Sequence, residues 1–227
     1  MDINNKVIST INIAGTDVWI TETMTSTWII MAIIVALALI FRIAVYKEGT
    51  QAPKGLYNFF EFAVESVHKF VISIMDEKYG FFGAYFFGLI FFILFSNLAG
   101  LYGLRPPTAD LATTVALALN TLVIMHVYGI MLSKKQYWKD WISPSPLLLP
   151  LTLIGELAKP VSLSFRLFGN VLGGVIVIGI LYGSAPLIYQ FLIPVPLHGW
   201  FDLFAGGLQA FIFTILSLIF IRQKLPD

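Results

Sequence analysis

Residues 147–192 form a long apolar segment that contains an arginine, Arg166. As one continuous helix this segment would measure about 68 Å, whereas the hydrocarbon core of a bilayer is about 30 Å thick. The segment must therefore fold back as two spans or cross the membrane at a steep tilt. A guanidinium stays charged in proteins, and a charge at mid-depth is costly unless it faces water, an anionic partner or both.

The composition extends this membrane assignment to the whole chain. Its 227 residues are 58% hydrophobic and 12% charged, whereas a soluble domain carries about 25% charged residues. The net charge of +1 argues against nucleic acid as a partner. Because the chain lacks cysteine and a GxxxxGK[ST] phosphate loop, we expect no disulfide, no thiolate metal site and no nucleotide hydrolysis. We expect no catalytic site, cofactor or metal in this chain.

The hydropathy pattern predicts an all-α integral membrane protein. A polar tail over residues 1–26 precedes a single membrane domain over residues 27–227. About five membrane-embedded spans are predicted, of which the last two are long and strongly tilted: 28–46, 82–102, 111–132, 147–192 and 197–221. Residues 54–79 mix apolar and charged side chains at helical spacing, which is typical of an amphipathic helix in the membrane surface.

The distribution of lysine and arginine predicts the orientation. If the chain starts outside and residues 147–192 cross once, ten basic residues lie inside, and only Lys6 and Arg105 lie outside. We therefore expect an outer N-terminus and a cytoplasmic C-terminus. The same bias favours one tilted crossing for the fourth segment.

A helix through residues 156–174 would place several polar side chains on one face with Leu163 and Leu167. These side chains are Glu156, Lys159, Arg166 and Asn170, with Ser162 nearby. Glu156 and Lys159 either neutralise each other or line an ion exit. Arg166 has no acid three or four residues away, which favours a functional role.

Glycines follow Arg166, and several of them, including Gly169 and Gly173, are four residues apart. Small residues at this spacing let another helix approach closely in a membrane. They indicate either loose packing within the chain or a partner helix that passes close to Arg166.

The last segment carries a second polar stripe, formed by His198, Asp202 and Gln209. Polar groups that descend from one membrane surface are typical of half of an ion path, although His198 alone is also typical of an interfacial histidine. An unpaired carboxylate inside the membrane is costly. Asp202 could therefore pair with Arg166, which would make both residues structural.

Two motifs, KPVSLSFRLFGN at residues 159–170 and GLQAFIFTILSLIFI at residues 207–221, closely resemble subunit a of the bacterial F-type ATP synthase. The likeness covers roughly residues 25–225. It implies a stator subunit in the bacterial inner membrane that works with a ring of c subunits, the b-subunit peripheral stalk, other F1Fo subunits and membrane lipid. It also implies two offset ion half-channels, with Arg166 as the essential arginine between them, Gln209 as the glutamine that faces it and Asn170 as a polar neighbour.

Two positions depart from that family's pattern. Val175 stands where many members carry a carboxylate, and Asp202 stands where many bacterial members have a histidine. Asp202 is therefore the main candidate in the outer half-channel, and the coupling ion, H⁺ or Na⁺, stays open. Two alternatives remain: a secondary transporter, although no internal repeat is evident, and a structural subunit with an internal Arg166–Asp202 pair.

Overall fold

The structure is a computed structural model that describes residues 6–13, 16–48, 56–142, 145–184 and 193–226. Two short strands come first, β1 (Val7–Ile13) and β2 (Thr16–Thr21), which pair as an antiparallel hairpin. This hairpin lies within the predicted polar tail and was not expected from the sequence. The helix α1 (Glu22–Glu48) follows it directly, so the first span begins before the predicted Trp28.

Amphipathic spacing produces α2 (Leu56–Met75) within the predicted segment 54–79. It buries Val71 and Met75 and leaves Glu65 and Lys69 exposed as an ion pair of 2.9 Å. A short 3-10 turn (Glu77–Tyr79) leads to α3 (Phe82–Leu98), which a second 3-10 turn (Ala99–Tyr102) continues.

After a third 3-10 turn (Pro107–Ala109), the chain forms α4 (Leu111–Tyr128), which a π-helical turn (Gly129–Ser133) extends. The Asp110 carboxylate caps α4 by accepting a 3.0 Å hydrogen bond from the Ala112 amide. The short helix α5 (Lys134–Ile142) then carries the basic and aromatic side chains expected at a membrane interface.

The two long predicted helices are present. A 3-10 turn (Pro146–Leu148) leads to α6 (Leu149–Ser184), and the predicted end of this span at residues 185–192 lies outside the described residues. The last helix is built from α7 (Pro194–His198), a π-helical stretch (Gly199–Ala205) and α8 (Gly206–Arg222). The 36 residues of α6 measure about 54 Å, so this helix must tilt steeply to stay within a core of about 30 Å.

The prediction of an all-α membrane protein is confirmed. Among the described residues, five helical segments are long and apolar enough to span a membrane: Glu22–Ile43, Phe82–Tyr102, Leu111–Ser133, Pro146–Gly183 and Pro194–Arg222. Their common core lies where α3, α4, α6 and α8 meet, and it buries Phe86, Leu163 and Phe213.

Hydroxyl pairs join these helices inside the core. Thr114 on α4 and Ser164 on α6 lie 3.1 Å apart, and Thr121 on α4 and Ser217 on α8 lie 3.2 Å apart. Polar side chains that bond across helices stabilise packing in a membrane by about 0.6 kcal/mol each. These pairs fix how α4 rests against the two long helices that carry the candidate site.

Candidate functional site

Arg166 lies close to the middle of α6, and its side chain is exposed. Within the described parts of the chain, it forms no hydrogen bond and no ion pair. Its neighbours on the same helix face, Ser162, Gly169 and Asn170, are exposed as well. A permanent charge is therefore presented on an open surface of a membrane helix, where it needs a partner or water.

The structure divides the predicted polar stripe on α6 between two environments. Glu156, Leu163 and Leu167 are buried against the other helices, whereas Arg166 and Asn170 face outward. At 100° per residue, Arg166 lies at the edge of this stripe, about 100° from Leu167. The packing of α6 covers the leucine side and leaves the arginine side open.

Asn170 and Gln209 join the two long helices one turn from Arg166. The Asn170 Nδ2 donates a 2.8 Å hydrogen bond to the Gln209 Oε1. Gln209 is only 2% exposed, and its Nε2 has no hydrogen-bond partner among the described residues. A buried donor left without any partner costs about 1–3 kcal/mol.

Asp202 pairs with His198 and not with Arg166, which corrects the alternative of an internal Arg–Asp pair. The His198 Nδ1 and the Asp202 Oδ2 lie 2.5 Å apart, and the carboxylate is buried. Phe201, the residue before Asp202, packs against Gly174, which lies two turns or about 12 Å along α6 from Arg166. The packing of Phe201 against Gly174 therefore keeps the Asp202 carboxylate and the Arg166 guanidinium apart.

The π-helical stretch Gly199–Ala205 contains Asp202 and turns its side chain toward the 3-10 turn Ala99–Tyr102 that continues α3. A Cβ added to Gly100 would lie 2.9 Å from the Asp202 Oδ2, so a larger residue at this point would force the carboxylate to shift. Single π-helical turns inside α-helices occur frequently at functional sites.

A buried amide network next to Asp202 was not predicted as part of the site. The Asn97 Nδ2 donates to the Gly206 carbonyl at 2.8 Å, and the Thr108 hydroxyl donates to the Asn97 Oδ1 at 2.7 Å. A Cβ on Gly206 would lie 2.9 Å from the Asn97 Cβ, so α3 and α8 are in close contact here. The sequence signal was Asn97 itself, an amide in an otherwise apolar span.

Glu156 is buried near the N-terminal end of α6, and two lysines pair with its carboxylate. Its Oε1 lies 3.0 Å from the Lys159 Nζ and 2.8 Å from the Lys224 Nζ. The predicted pair with Lys159 is therefore present, and Lys224, which follows α8, is an additional partner that the sequence did not indicate. Ser133 donates to the Lys224 carbonyl at 2.7 Å and holds this end in place.

No group of three or more His, Cys, Asp or Glu side chains that could hold a metal occurs in the described part of the chain. The polar groups instead follow the facing sides of α6 and the last helix. They run from His198 and Asp202 through Asn97, Gln209 and Asn170 toward Arg166. Fold and site together define a multi-pass helical membrane protein with a discontinuous polar track and an arginine at mid-helix that has no partner among the described residues.

Comparison with known proteins gives the family. The model of the ATP synthase A chain family matches residues 24–222. The chain is 39% identical to ATP synthase subunit a of Syntrophobacter fumaroxidans over 207 residues, which cover 87% of this chain and 81% of the relative. It is 37% identical to ATP synthase subunit a 2 of Syntrophotalea carbinolica over 213 residues, which cover 90% and 86%.

A third relative is the sodium ion specific ATP synthase subunit a of Propionigenium modestum. It is 34% identical over 229 residues, which cover 92% of this chain and 75% of the relative. The protein belongs to the ATP synthase A chain family.

Proposed function

We propose that the chain is the stator subunit a of a rotary F-type ATP synthase, and that Arg166 controls the loading and release of ions at the carboxylates of a rotor ring. The observation that carries this proposal is the exposed guanidinium at the middle of α6, which has no partner among the described residues. An acid on a neighbouring chain supplies the missing charge.

The chemistry follows from the environment of such an acid. A rotor carboxylate surrounded by lipid is neutral or holds an ion, because desolvation raises its pKa. Near Arg166 an opposite charge favours ionisation by about 1–3 pKa units, so the carboxylate gives up its ion there. The fixed positive charge also repels cations that would otherwise leak straight through.

Two offset half-channels bring ions to and from this point. The outer one contains His198, Asp202 and Gln209 of the last helix, together with Asn170 of α6, whose amide donates to Gln209. The inner one ends near Glu156, Lys159 and Ser162. Ions enter by one path, ride the ring and leave by the other, so that ion flow drives rotation and ATP synthesis.

This assignment implies a c-subunit ring on the Arg166 face, a b-subunit peripheral stalk and the other F1Fo subunits as partners. It also implies a bacterial inner membrane location, with the N-terminus outside and the C-terminus in the cytoplasm. Lys6 and Arg105, the two basic residues expected outside, line one cavity. Lys159 and Lys224, near the opposite end of α6, share Glu156.

Replacement of Arg166 in the whole complex tests the proposal. Arg166→Ala is expected to abolish ion-driven ATP synthesis in sealed vesicles, while the complex still assembles. Arg42→Ala, which removes an exposed arginine of α1, is the matched control and is expected to retain synthesis. ATP synthesis at the wild-type rate in Arg166→Ala would refute the proposal.

The coupling ion needs a separate measurement, because a relative is named as sodium ion specific and the sequence leaves both H⁺ and Na⁺ open. ATP synthesis in sealed vesicles is measured with and without a Na⁺ gradient, in the presence of a protonophore. Synthesis that persists with the protonophore and follows Na⁺ assigns Na⁺. Synthesis that the protonophore abolishes at every Na⁺ concentration assigns H⁺.

A further inference from the structure

A cavity of about 260 Å³ opens where the N-terminal hairpin, the first turns of α1, the loop after α3 and the outer half of α6 meet. Its walls are formed by ten residues: Lys6, Ile8, Glu22, Thr25, Ser26, Ile29, Gly103, Leu104, Arg105 and Val175. A cavity can hold a water molecule once it offers about 10–15 Å³ of space for the centre of the molecule, provided that polar partners are present. This cavity therefore has room for several waters.

Glu22 and Ser26 provide oxygen atoms in this cavity that nothing in the described chain uses. The Glu22 side chain is half-buried and forms no hydrogen bond or ion pair with another described residue. Ser26 is only 4% exposed, and its hydroxyl also has no partner among the described residues. Four residues apart on α1, the two side chains lie on the same helix face.

Thr25 adds a third oxygen beside them. Its hydroxyl donates to the Thr21 carbonyl at 3.2 Å, so the lone pairs of the hydroxyl oxygen remain available as acceptors. A carboxylate with neighbouring hydroxyls is the kind of oxygen donor set that hard cations prefer. The same oxygens can also accept hydrogen bonds from a hydrated proton.

The charged side chains that line the cavity determine how easily a cation can approach. Glu22 is the one acid among the lining residues, whereas Lys6 and Arg105 contribute two positive charges. Removing the carboxylate would make the electrostatic potential in the cavity more positive and less favourable to a cation. Glu22 is therefore the lining group that attracts a cation.

The cavity adjoins the region of Asp202. Gly103 and Leu104 line the cavity, while Gly100, in the same short segment, lies close enough to Asp202 that an added Cβ would be 2.9 Å from the Asp202 Oδ2. Val175 forms the wall on α6, about 13 Å along that helix from Arg166. A cation in the cavity is thus separated from the buried acid by the 3-10 turn Ala99–Tyr102.

We propose that Glu22 and Ser26 form an outer binding site for the translocated cation, in a hydrated cavity that lies on the other side of the 3-10 turn Ala99–Tyr102 from Asp202. This inference rests on the proposed function, because it assigns the entry of the same ion path. It makes α1 and the hairpin part of the ion path.

Kinetics in the assembled ATP synthase test the role of Glu22. ATP synthesis is measured in sealed vesicles at a fixed electrical potential, while the concentration of H⁺ or Na⁺ on the outer side is varied. Because a unit charge about 4 Å away in water enriches a cation roughly fivefold, Glu22→Gln is expected to raise the half-saturating ion concentration by about that factor. Glu22→Asp, which keeps the charge, is expected to restore it.

Glu65→Gln is the matched control, because Glu65 is an exposed acid of α2 that pairs with Lys69. Its half-saturating concentration is expected to equal that of the wild type. An unchanged value for Glu22→Gln would overturn the inference. If Arg166→Ala abolishes synthesis in the same experiments, only the role of Glu22 fails; if Arg166→Ala is active, the proposed function itself fails.

Thiol labelling tests the cavity without relying on transport. The chain has no cysteine, so Val175→Cys introduces a single thiol into it, and methanethiosulfonate reagents react with thiolates that are in contact with water. We expect a membrane-impermeant reagent, added on the outer side of the assembled complex, to label Val175→Cys and also Tyr102→Cys, an exposed position at the same end. Val123→Cys, which is exposed on the apolar surface of α4, is expected to stay unlabelled. Labelling of Tyr102→Cys without labelling of Val175→Cys would overturn the inference.

Discussion

Gly169 and Gly173 allow a direct test of whether another helix passes the Arg166 face. A Cβ added at either glycine would meet nothing within 4 Å in this chain. By contrast, a Cβ on the adjacent Gly174 would lie 3.0–3.2 Å from Phe201 atoms. The first two glycines thus have no packing reason within the described chain, whereas Gly174 has one.

The two possible roles of these glycines, loose packing within the chain and contact with a passing helix, predict different effects of an added methyl group on stability and turnover. Alanine is favoured over glycine in an exposed helix interior by about 1 kcal/mol, so Gly169→Ala leaves the stability of the isolated subunit unchanged or raises it. If a rotor helix slides past, the added methyl overpacks that contact and costs about 1–3 kcal/mol. A barrier raised by this amount slows turnover about 5- to 150-fold.

The assay compares ATP synthesis in sealed vesicles with the thermal stability of the purified complex for each variant. Gly169→Ala and Gly173→Ala are expected to lower synthesis without lowering stability. Gly155→Ala, whose Cβ also meets nothing within 4 Å on the same helix, controls for the substitution and is expected to be active. Wild-type rates for both Gly169→Ala and Gly173→Ala would refute the reasoning that a partner helix approaches this face.

Two further predictions concern the interior. Asn97→Leu leaves the buried Gly206 carbonyl and Thr108 hydroxyl without their Asn97 partner and is expected to destabilise the complex by about 1–3 kcal/mol, seen as a lower melting temperature. Asn120→Leu, which removes an exposed amide bonded to a tyrosine, is expected to have little effect; equal melting temperatures for the two variants would contradict this. The methyl group of Gly100→Ala would push against the Asp202 carboxylate, so this variant is expected to slow ATP synthesis. The control Gly88→Ala on α3, whose Cβ meets nothing within 4 Å, is expected to be neutral. Equal rates of ATP synthesis in the two variants would remove Asp202 from the ion path.

The spans could be predicted because bilayer thickness sets a minimum length for apolar helices. Residues 82–102 and 111–132 match helical segments in the structure almost residue by residue. The hairpin was missed because its strands are short and precede a far stronger helical signal. Its own signal was present in residues 7–13, VISTINI, which are rich in the β-branched residues that favour strands.

The contacts of the candidate site were harder to predict, because helical spacing gives a face but not the neighbour that covers it. The spacing placed His198 and Asp202 on one face, and the structure joins them by a hydrogen bond. It could not indicate that Lys224 reaches Glu156, since these residues are far apart in the sequence. Such contacts depend on how α6 and α8 are paired in space.

Ion pairing within the chain distinguishes the buried acids of the two long helices from Arg166, whose charge remains available to a partner. Glu156 is neutralised by two lysines, and Asp202 is paired with His198, so the buried acids of the two long helices are satisfied within the chain. Arg166 differs from them, because no described residue answers its charge. Breaking one of the paired groups leaves a buried charge uncompensated and destabilises the fold, whereas removing the Arg166 charge costs the described chain no bond. A residue whose loss leaves the fold intact and abolishes ion-driven synthesis acts on something outside its own chain, which is the role assigned to Arg166.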